Sequence, residues 1–196
     1  MSVARKSANL AIMDRFSFVL VLLSIIVGLG VTELLTSVAR QIQSRRTTTF
    51  YWLQSLLVAM VFVALLQQWW ESWDQRVVET WSFPVLLLML GGPVSLYLIA
   101  HLLFPREVEG ADLKAYYFEN CRATYLLAVL AVISSTLYRP LSFDHSLMDT
   151  DNLTSLILVF LFAALAVWRK PTAHAIIVPL AFILAFADVL IFHWAI

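Results

Sequence analysis

The sequence is poor in charge. Asp, Glu, Lys and Arg make up 13% of its 196 residues, whereas a soluble domain carries about 25%. A chain with roughly half that share cannot cover a water-facing surface with charged groups, so a soluble globular domain is not expected. The formal net charge is zero, and bulk charge therefore gives no reason to expect a nucleic-acid partner.

Cysteine and catalytic signatures are also scarce. Cys121 is the one cysteine, which excludes an intrachain disulfide and a multi-thiolate metal site within one chain. We expect it to be a small buried hydrophobe. The sequence has no H-E-x-x-H, G-x-S-x-G, P-loop or G-x-G-x-x-G pattern. We therefore expect no catalytic residues and no enzymatic activity, and a lipid-facing enzyme ranks as the last alternative.

Histidines and acidic residues give little support for a cofactor. His145 and Asp149 stand four residues apart in an acidic loop, but no second histidine pair supports zinc. His101 and His174 are the two histidines in one half of the predicted membrane region, and a matched pair is what axial haem ligation needs. His174 is predicted nearly at the membrane surface, however. We expect neither a metal nor haem.

What the sequence does have is long apolar runs. Hydrophobic residues make up 61% of the chain and the mean hydropathy is +0.84. The runs approach the length of about 20 residues that a hydrocarbon layer of about 30 Å requires. The sequence predicts an all-α, polytopic membrane helix bundle of one domain, with the lipid bilayer as its main solvent. The six predicted transmembrane helices are 16–38, 50–70, 81–104, 116–138, 153–168 and 174–196.

Six crossings place both chain termini on one side of the membrane, here called the terminal side. The loops after the first, third and fifth helices lie on the opposite side, here called the loop side. Seven basic residues lie on the loop side: Arg40, Arg45, Arg46, Arg106, Lys114, Arg169 and Lys170. Five lie on the terminal side: Arg5, Lys6, Arg15, Arg76 and Arg139. The positive-inside rule therefore predicts termini outside the cell, and the layout is generically like that of small bacterial inner-membrane proteins.

The first predicted helix carries a carboxylate, Glu33, within otherwise uncharged sequence. Such a group is costly in the membrane unless it has a partner or water. On a helical projection, small residues and large aliphatic residues form separate stripes. Because small stripes are typical of close helix packing, we expect the aliphatic stripe to face lipid and the small stripe and Glu33 to face protein. The small stripe is Ser17, Ser24, Gly28, Thr32 and Thr36, and the aliphatic stripe is Leu20, Leu23, Val27, Val31, Leu34 and Val38.

Four polar residues on four helices share one predicted depth on the loop side, at about 1.5 Å per residue. They are Glu33, Gln54, His101 and Arg122. We predict that Glu33 and Arg122 pair across the bundle interior with Gln54 and His101 nearby, because pairing offsets much of the cost of burying either charge. Two alternatives stay open: the pair fixes helix register, or Arg122 extends to the interface instead.

Asp188 is a second intramembrane carboxylate and shares a predicted helix face with His174 and Ala181. It is either part of a proton or cation path or an acid satisfied by the hydroxyl residues 134–136. A different signal lies at the centre of the third helix, where helix-disrupting residues predict a kink. These residues are Gly91, Gly92 and Pro93.

Together these features favour transport. The predicted function is a small homo-oligomeric channel or carrier for protons or small ions that uses Glu33, Arg122 and Asp188. The first alternative is a non-transporting membrane subunit or anchor. It would bind a partner protein through its small-residue faces and its tryptophans, such as Trp69, Trp70 and Trp73. The sequence does not name the solute.

Overall fold

The computed structural model describes residues 2–77, 82–142 and 150–192, with side chains for 16–73, 75–76, 82–138 and 152–190. Over these residues it contains six α-helices, one 3-10 helix (Ser72–Val77) and no strand. This confirms the predicted all-α bundle. The helices are α1 Ser2–Gln43, α2 Trp52–Glu71, α3 Phe83–Leu102, α4 Leu113–Ser142, α5 Thr150–Val167 and α6 Pro171–Phe192.

Five of these helices are long and apolar enough to cross a membrane, and α5 is a shorter apolar helix. The chain is therefore a multi-pass integral membrane protein. Exposed tryptophans mark both edges of the membrane region, since the amphipathic indole ring favours the membrane–water interface. Trp69 and Trp70 are exposed at the terminal side, and Trp52 and Trp168 are exposed at the loop side.

Local capping explains why α4 and α6 begin about three residues earlier than predicted. The Asp112 carboxylate accepts hydrogen bonds from the backbone N–H groups of Lys114 (2.9 Å) and Ala115 (3.2 Å), which is an N-cap for α4. The hydrogen bond from Ala115, assisted by Thr49 and Lys114, holds the pKa of Asp112 below its usual range. α6 begins at Pro171, where the fixed φ of proline suits the first helical position.

Helices α2 to α6 form a closed ring in which each packs on the next and α6 packs back on α2. α2 also touches α4 across this ring. α1 lies outside the ring, where its described part contacts α2, α3 and the 3-10 helix but none of α4, α5 and α6. α1, the helix that carries Glu33, therefore lies at the periphery of the bundle.

On the loop side, the first and third loops are tied together. Thr48 donates a hydrogen bond from its hydroxyl to the Val108 carbonyl (2.7 Å), and the Thr49 N–H donates to the Ala111 carbonyl (3.2 Å). Arg40, near the end of α1, donates to the Arg106 carbonyl (3.0 Å). These bonds satisfy backbone carbonyls in the loop that follows α3, and they tie the end of α1 and the first loop to that loop.

The two faces of α1 are reversed relative to the prediction. Leu23, Val27 and Leu34 of the aliphatic stripe are buried within the chain, whereas Gly28, Thr32 and Thr36 of the small stripe are exposed and Ser24 is half-buried. Lipid and protein are both apolar, so hydrophobicity does not select the buried face, and bulky aliphatic side chains provide more dispersion contacts against α2 and α3. The predicted packing role of the small stripe is therefore wrong within this chain.

The close approach on α1 occurs at Gly30 instead. A Cβ atom at Gly30 would lie 3.0 Å from Leu65 of α2 and 3.6 Å from the Tyr97 backbone of α3, while a Cβ atom at Gly28 would meet nothing within 4 Å. We expect Gly30→Leu to destabilise the fold by about 1–3 kcal/mol through overpacking. Gly28→Leu, two residues away on the same helix, is the matched control and should be neutral. Unfolding in mixed detergent–SDS micelles measures both, and equal losses would contradict the placement of α1.

The central glycines of α3 also permit close packing. α3 continues without interruption through Pro93, and the predicted kink stays a prediction. A Cβ atom at Gly91 would overlap the Ser134 side chain of α4, and one at Gly92 would lie 2.9 Å from the Gln68 amide oxygen of α2. The two glycines therefore bring the backbone of α3 against both neighbours in the ring.

Candidate functional site

A cavity of about 180 Å³ lies inside the helix ring. All five ring helices contribute to its described lining, and α1 contributes nothing to that lining. A single water needs roughly 10–15 Å³ on the same measure. The cavity is therefore large enough for several water molecules or a small organic molecule.

The polar lining of the cavity is concentrated at its terminal-side end. α2 ends on that side with Gln67, Gln68 and Glu71, α5 begins there with Asn152, and α6 ends there with Asp188. The Gln67 amide donates a hydrogen bond to the Glu71 carboxylate (2.8 Å). Two carboxylates, a group of amides and the hydroxyls of residues 135–136 thus line one end of an otherwise apolar space.

The rest of the lining is mainly aliphatic and aromatic, and most of it lies deeper in the membrane. It is formed by residues such as Leu57, Val61, Leu96, Ile99, Leu158 and Phe162. Apolar walls with a few convergent polar groups are typical of small-molecule sites. The division into a polar end and an apolar body is the main chemical feature of this cavity.

A group of packed aromatic rings, which begins with Phe162, lies on the loop side of the cavity. We call Tyr51, Tyr117, Phe118, Tyr125, Phe162 and His174 the aromatic floor. The ring of Phe162 stacks on Tyr125 (centroids 6.0 Å apart), and Tyr117 meets Phe118 edge-on (5.0 Å). Burial raises the pKa of the Tyr51 hydroxyl at the loop-side edge. Edge-on and offset contacts of this kind stabilise a packed aromatic layer.

A buried hydrogen-bond chain runs through the aromatic floor. The Tyr117 hydroxyl lies 2.6 Å from the Tyr125 hydroxyl and 2.8 Å from Nδ1 of His174, whose Nε2 lies 2.9 Å from the Trp168 carbonyl. A carbonyl only accepts, so Nε2 carries the proton. An imidazolium at a fully buried position would be costly, so Nδ1 is an acceptor. Tyr117 therefore donates to His174, and Tyr125 donates to Tyr117.

The positions of Tyr117, Tyr125 and His174 along their helices explain why the three side chains meet. Tyr117, Cys121 and Tyr125 lie four residues apart on one face of α4, and all three are buried. Cys121 is buried as predicted. His174 lies in the first turn of α6 on the face that also carries buried Val178. The buried hydrogen-bond chain therefore connects the start of α6 and the residue after α5 to α4.

A second, much smaller void of about 10 Å³ lies on the loop side of the cavity. Leu57 and Thr124 line both spaces, and Tyr117 and Asn120 line the smaller one. The smaller space is lined by α2, α4 and the end of α3, and it shares Leu57 and Thr124 with the cavity. We call these two shared residues the constriction. The void has room for about one water molecule.

Glu33 lies outside this cavity, in an ion cluster between α1 and α3. Its carboxylate is 3.3 Å from Nδ1 of His101 and 3.8 Å from the Arg40 guanidinium. Arg40 also donates to the Ser37 hydroxyl (2.9 Å). The side chains of Glu33, Arg40 and His101 are 29%, 39% and 52% exposed, so this cluster joins two helices at the outer surface of the bundle.

The predicted Glu33–Arg122 pair is wrong. Arg122 is exposed on α4, and α1 does not pack against α4 in the described part of the chain. Equal depth places two residues in one layer of the membrane but does not place their helices side by side. The prediction that His101 lies near Glu33 is confirmed.

Of the five residues predicted for a transport or buried polar site, only Asp188 lines the cavity. It does so together with Ser135 and Thr136, which were its predicted neighbours. Gln54 is buried elsewhere, where its amide donates a hydrogen bond to the Leu103 carbonyl at the end of α3. The four residues predicted to share one polar layer therefore lie in three separate places, and none of them is in the described lining of the cavity.

Sequence reasoning missed Glu71 and the Tyr–Tyr–His chain. Glu71 lies one residue beyond the predicted second helix, 50–70, and therefore outside the predicted membrane span. A tyrosine inside a membrane helix needs a hydrogen-bond partner, and the eight-residue spacing of Tyr117 and Tyr125 was the available signal for the chain.

The cofactor predictions fall partly on residues that the structure does not describe. His145 and Asp149 lie outside the described residues. The two histidines considered for haem lie in different places, since His101 pairs with Glu33 at the surface and both ring nitrogens of His174 take part in hydrogen bonds.

A fold does not by itself determine function, so function has to be argued from the site. Comparison of the chain with protein-family models, with curated proteins and with solved structures found no match.

Proposed function

We propose that this integral membrane protein transports a small, positively charged solute through the cavity inside the helix ring. The observation that carries the proposal is the cavity itself, lined by residues of five helices, with Glu71 and Asp188 at its terminal-side end. Ionisable residues within membrane segments commonly mark solute or ion pathways. Acidic groups at the end of a low-dielectric cavity raise the local concentration of cations.

The arrangement along the ring supports transport rather than simple binding. The cavity is followed on the loop side by the constriction at Leu57 and Thr124, the small void and the aromatic floor. This order corresponds to a state that is closed toward the loop side. A transport cycle then requires helix movement that opens the constriction, as in carriers whose repeats or bundles rock around a central site.

The charge distribution gives this proposal a direction. Seven basic residues on the loop side against five on the terminal side favour cytoplasmic loops. With that orientation, the acidic end of the cavity would receive its solute from outside the cell.

The predicted homo-oligomer and the alternative of a partner-binding subunit have one supporting observation. The small-residue stripe of α1, with open space around Gly28, faces away from the chain, and such stripes permit close helix contacts. Loss of self-association or of a co-purifying protein in Gly28→Leu, at unchanged stability, is the result that this alternative predicts.

Flux measurements test the transport proposal. The purified full chain is reconstituted in liposomes, and uptake of H⁺, Na⁺, K⁺ and methylammonium is measured under potentials of both signs. We expect uptake of at least one cation above that of empty liposomes. Glu71→Gln combined with Asp188→Asn should lower it by about tenfold or more, which corresponds to roughly 1.4 kcal/mol of lost cation stabilisation.

Glu33→Gln is the matched control, because it neutralises an intramembrane carboxylate that lies outside the ring. Its uptake should equal that of the wild type. The absence of cation uptake at every potential, or unchanged uptake in the double variant, would refute transport through this cavity. Size-exclusion profiles of all proteins establish that each variant is folded.

A further inference from the structure

We infer that the cavity accepts a protonated organic amine with a small apolar body, rather than a bare inorganic cation. The inference rests on the proposed function and specifies its solute. It starts from the division of the cavity lining into a short polar end and a longer apolar body. A solute that matches both parts must itself be amphipathic.

The charge of the lining determines the charge of the solute. The described lining residues include Glu71 and Asp188 but no lysine or arginine. A carboxylate ligand would meet like charge at this end and would lose its hydration without compensation. An ammonium group can replace its hydration with the acids and with the neighbouring amides of Gln68 and Asn152, because it offers several N–H donors and these groups offer oxygen acceptors.

The apolar part of the cavity indicates that the remainder of the solute is also apolar. Between the acids and Thr124, the wall is largely formed by side chains such as Val61, Leu96, Leu158 and Phe162. A hydrated Na⁺ or K⁺ would gain little from these walls and would pay a desolvation cost there. A hydrocarbon or phenyl group gains free energy from the same contact, in proportion to the apolar area removed from water.

The position of Phe162 provides a specific contact for that group. Its ring is 5% exposed, lines the cavity and stacks on Tyr125 of the aromatic floor. It is therefore held in place by the layer beneath it. A ligand ring can then pack on a rigid aromatic surface, while its ammonium group points toward the terminal side.

Binding of three similar probes tests the inference. Benzylamine is cationic at neutral pH, benzyl alcohol is its neutral analogue and benzoate its anionic analogue. Isothermal titration calorimetry on the purified full chain should show benzylamine binding about tenfold or more tightly than either analogue, a difference of roughly 1.4 kcal/mol. Methylammonium, which has the charge without the ring, should bind more weakly than benzylamine for lack of apolar contact.

Variants separate charge recognition from loss of structure. Glu71→Gln with Asp188→Asn should remove the preference for benzylamine over benzyl alcohol while leaving benzyl alcohol binding intact. Phe162→Leu should weaken both, whereas Phe160→Leu should change neither, because Phe160 is 73% exposed on the same helix. Loss of benzyl alcohol binding in the acid double variant would indicate a collapsed cavity and would count against the assigned head-group site.

Comparing binding with flux distinguishes the two proposals. Uptake of Na⁺, K⁺ or H⁺ without benzylamine binding would overturn the inference and leave transport standing. Benzylamine binding without uptake of any cation would support the ligand class and refute transport. Equal affinity for benzylamine, benzyl alcohol and benzoate would overturn the inference as well.

Discussion

Tyr117→Phe is expected to destabilise the protein by about 2–3 kcal/mol, although it removes a single oxygen atom. The Tyr117 hydroxyl is the middle of the buried chain, since it donates to His174 and accepts from Tyr125. Its removal leaves a hydroxyl proton on Tyr125 and a lone pair on His174 without their partners. Neither group can turn to water, because both residues have 0% exposure.

Tyr125→Phe is the matched control for this prediction. Tyr125 is the donor at the end of the chain, so its loss leaves Tyr117 still bonded to His174. We expect a cost of about 0.5–1 kcal/mol, which is within the usual net contribution of one hydrogen bond. Unfolding by SDS in mixed micelles gives both values under one condition. Equal costs, or a larger cost for Tyr125→Phe, would show that the chain does not run from Tyr125 to His174.

A double-variant cycle between Tyr117→Phe and His174→Gln measures the coupling directly. If the two side chains act as one network, their costs will not add. The result also concerns transport. The Tyr–Tyr–His chain lies on the loop side of the cavity, so the proposed transport cycle would require it to break or to move as a unit.

The helices could be predicted from the sequence because a membrane requires long apolar segments with internally satisfied backbones. Asp112 and Pro171 are local sequence signals for the starts of α4 and α6. The order of the helices around the ring could not be predicted. Apolar side chains cover both the lipid-facing and the protein-facing surfaces, so the pattern on α1 could be assigned to either face, and the assignment was the reverse of the structure.

The candidate site was predictable where a charge stood alone in an apolar helix, as at Asp188. The same reasoning gave Glu33 the wrong partner. Depth along a helix is one coordinate, and pairing needs the angular position of both helices as well. Glu33 instead lies beside Arg40, two turns along its own helix, and beside His101 on the adjacent α3. The contact with Arg40 depends only on the spacing along α1, whereas a contact with Arg122 depends on how two helices pack.

Ala128→Phe is expected to lower both cation uptake and benzylamine binding by about tenfold or more, the effect of losing roughly 1.4 kcal/mol of contact free energy. Ala128 lies on α4 among the cavity-lining residues and is 9% exposed. A phenyl group at this position enters space that is otherwise open to the solute. Because it fills a cavity instead of creating one, we expect the thermal stability of the variant to equal or exceed that of the wild type.

Ala123→Phe is the control, because it makes the same substitution on the same helix at an exposed position. It should leave uptake and binding unchanged, since a phenyl ring there meets lipid. The comparison isolates the cavity from general effects of a bulky residue on α4. If Ala128→Phe is well folded and transports like the wild type, the solute does not pass through the ring, and a path between copies of the chain, on the side of the exposed α1 stripe, becomes the route to test.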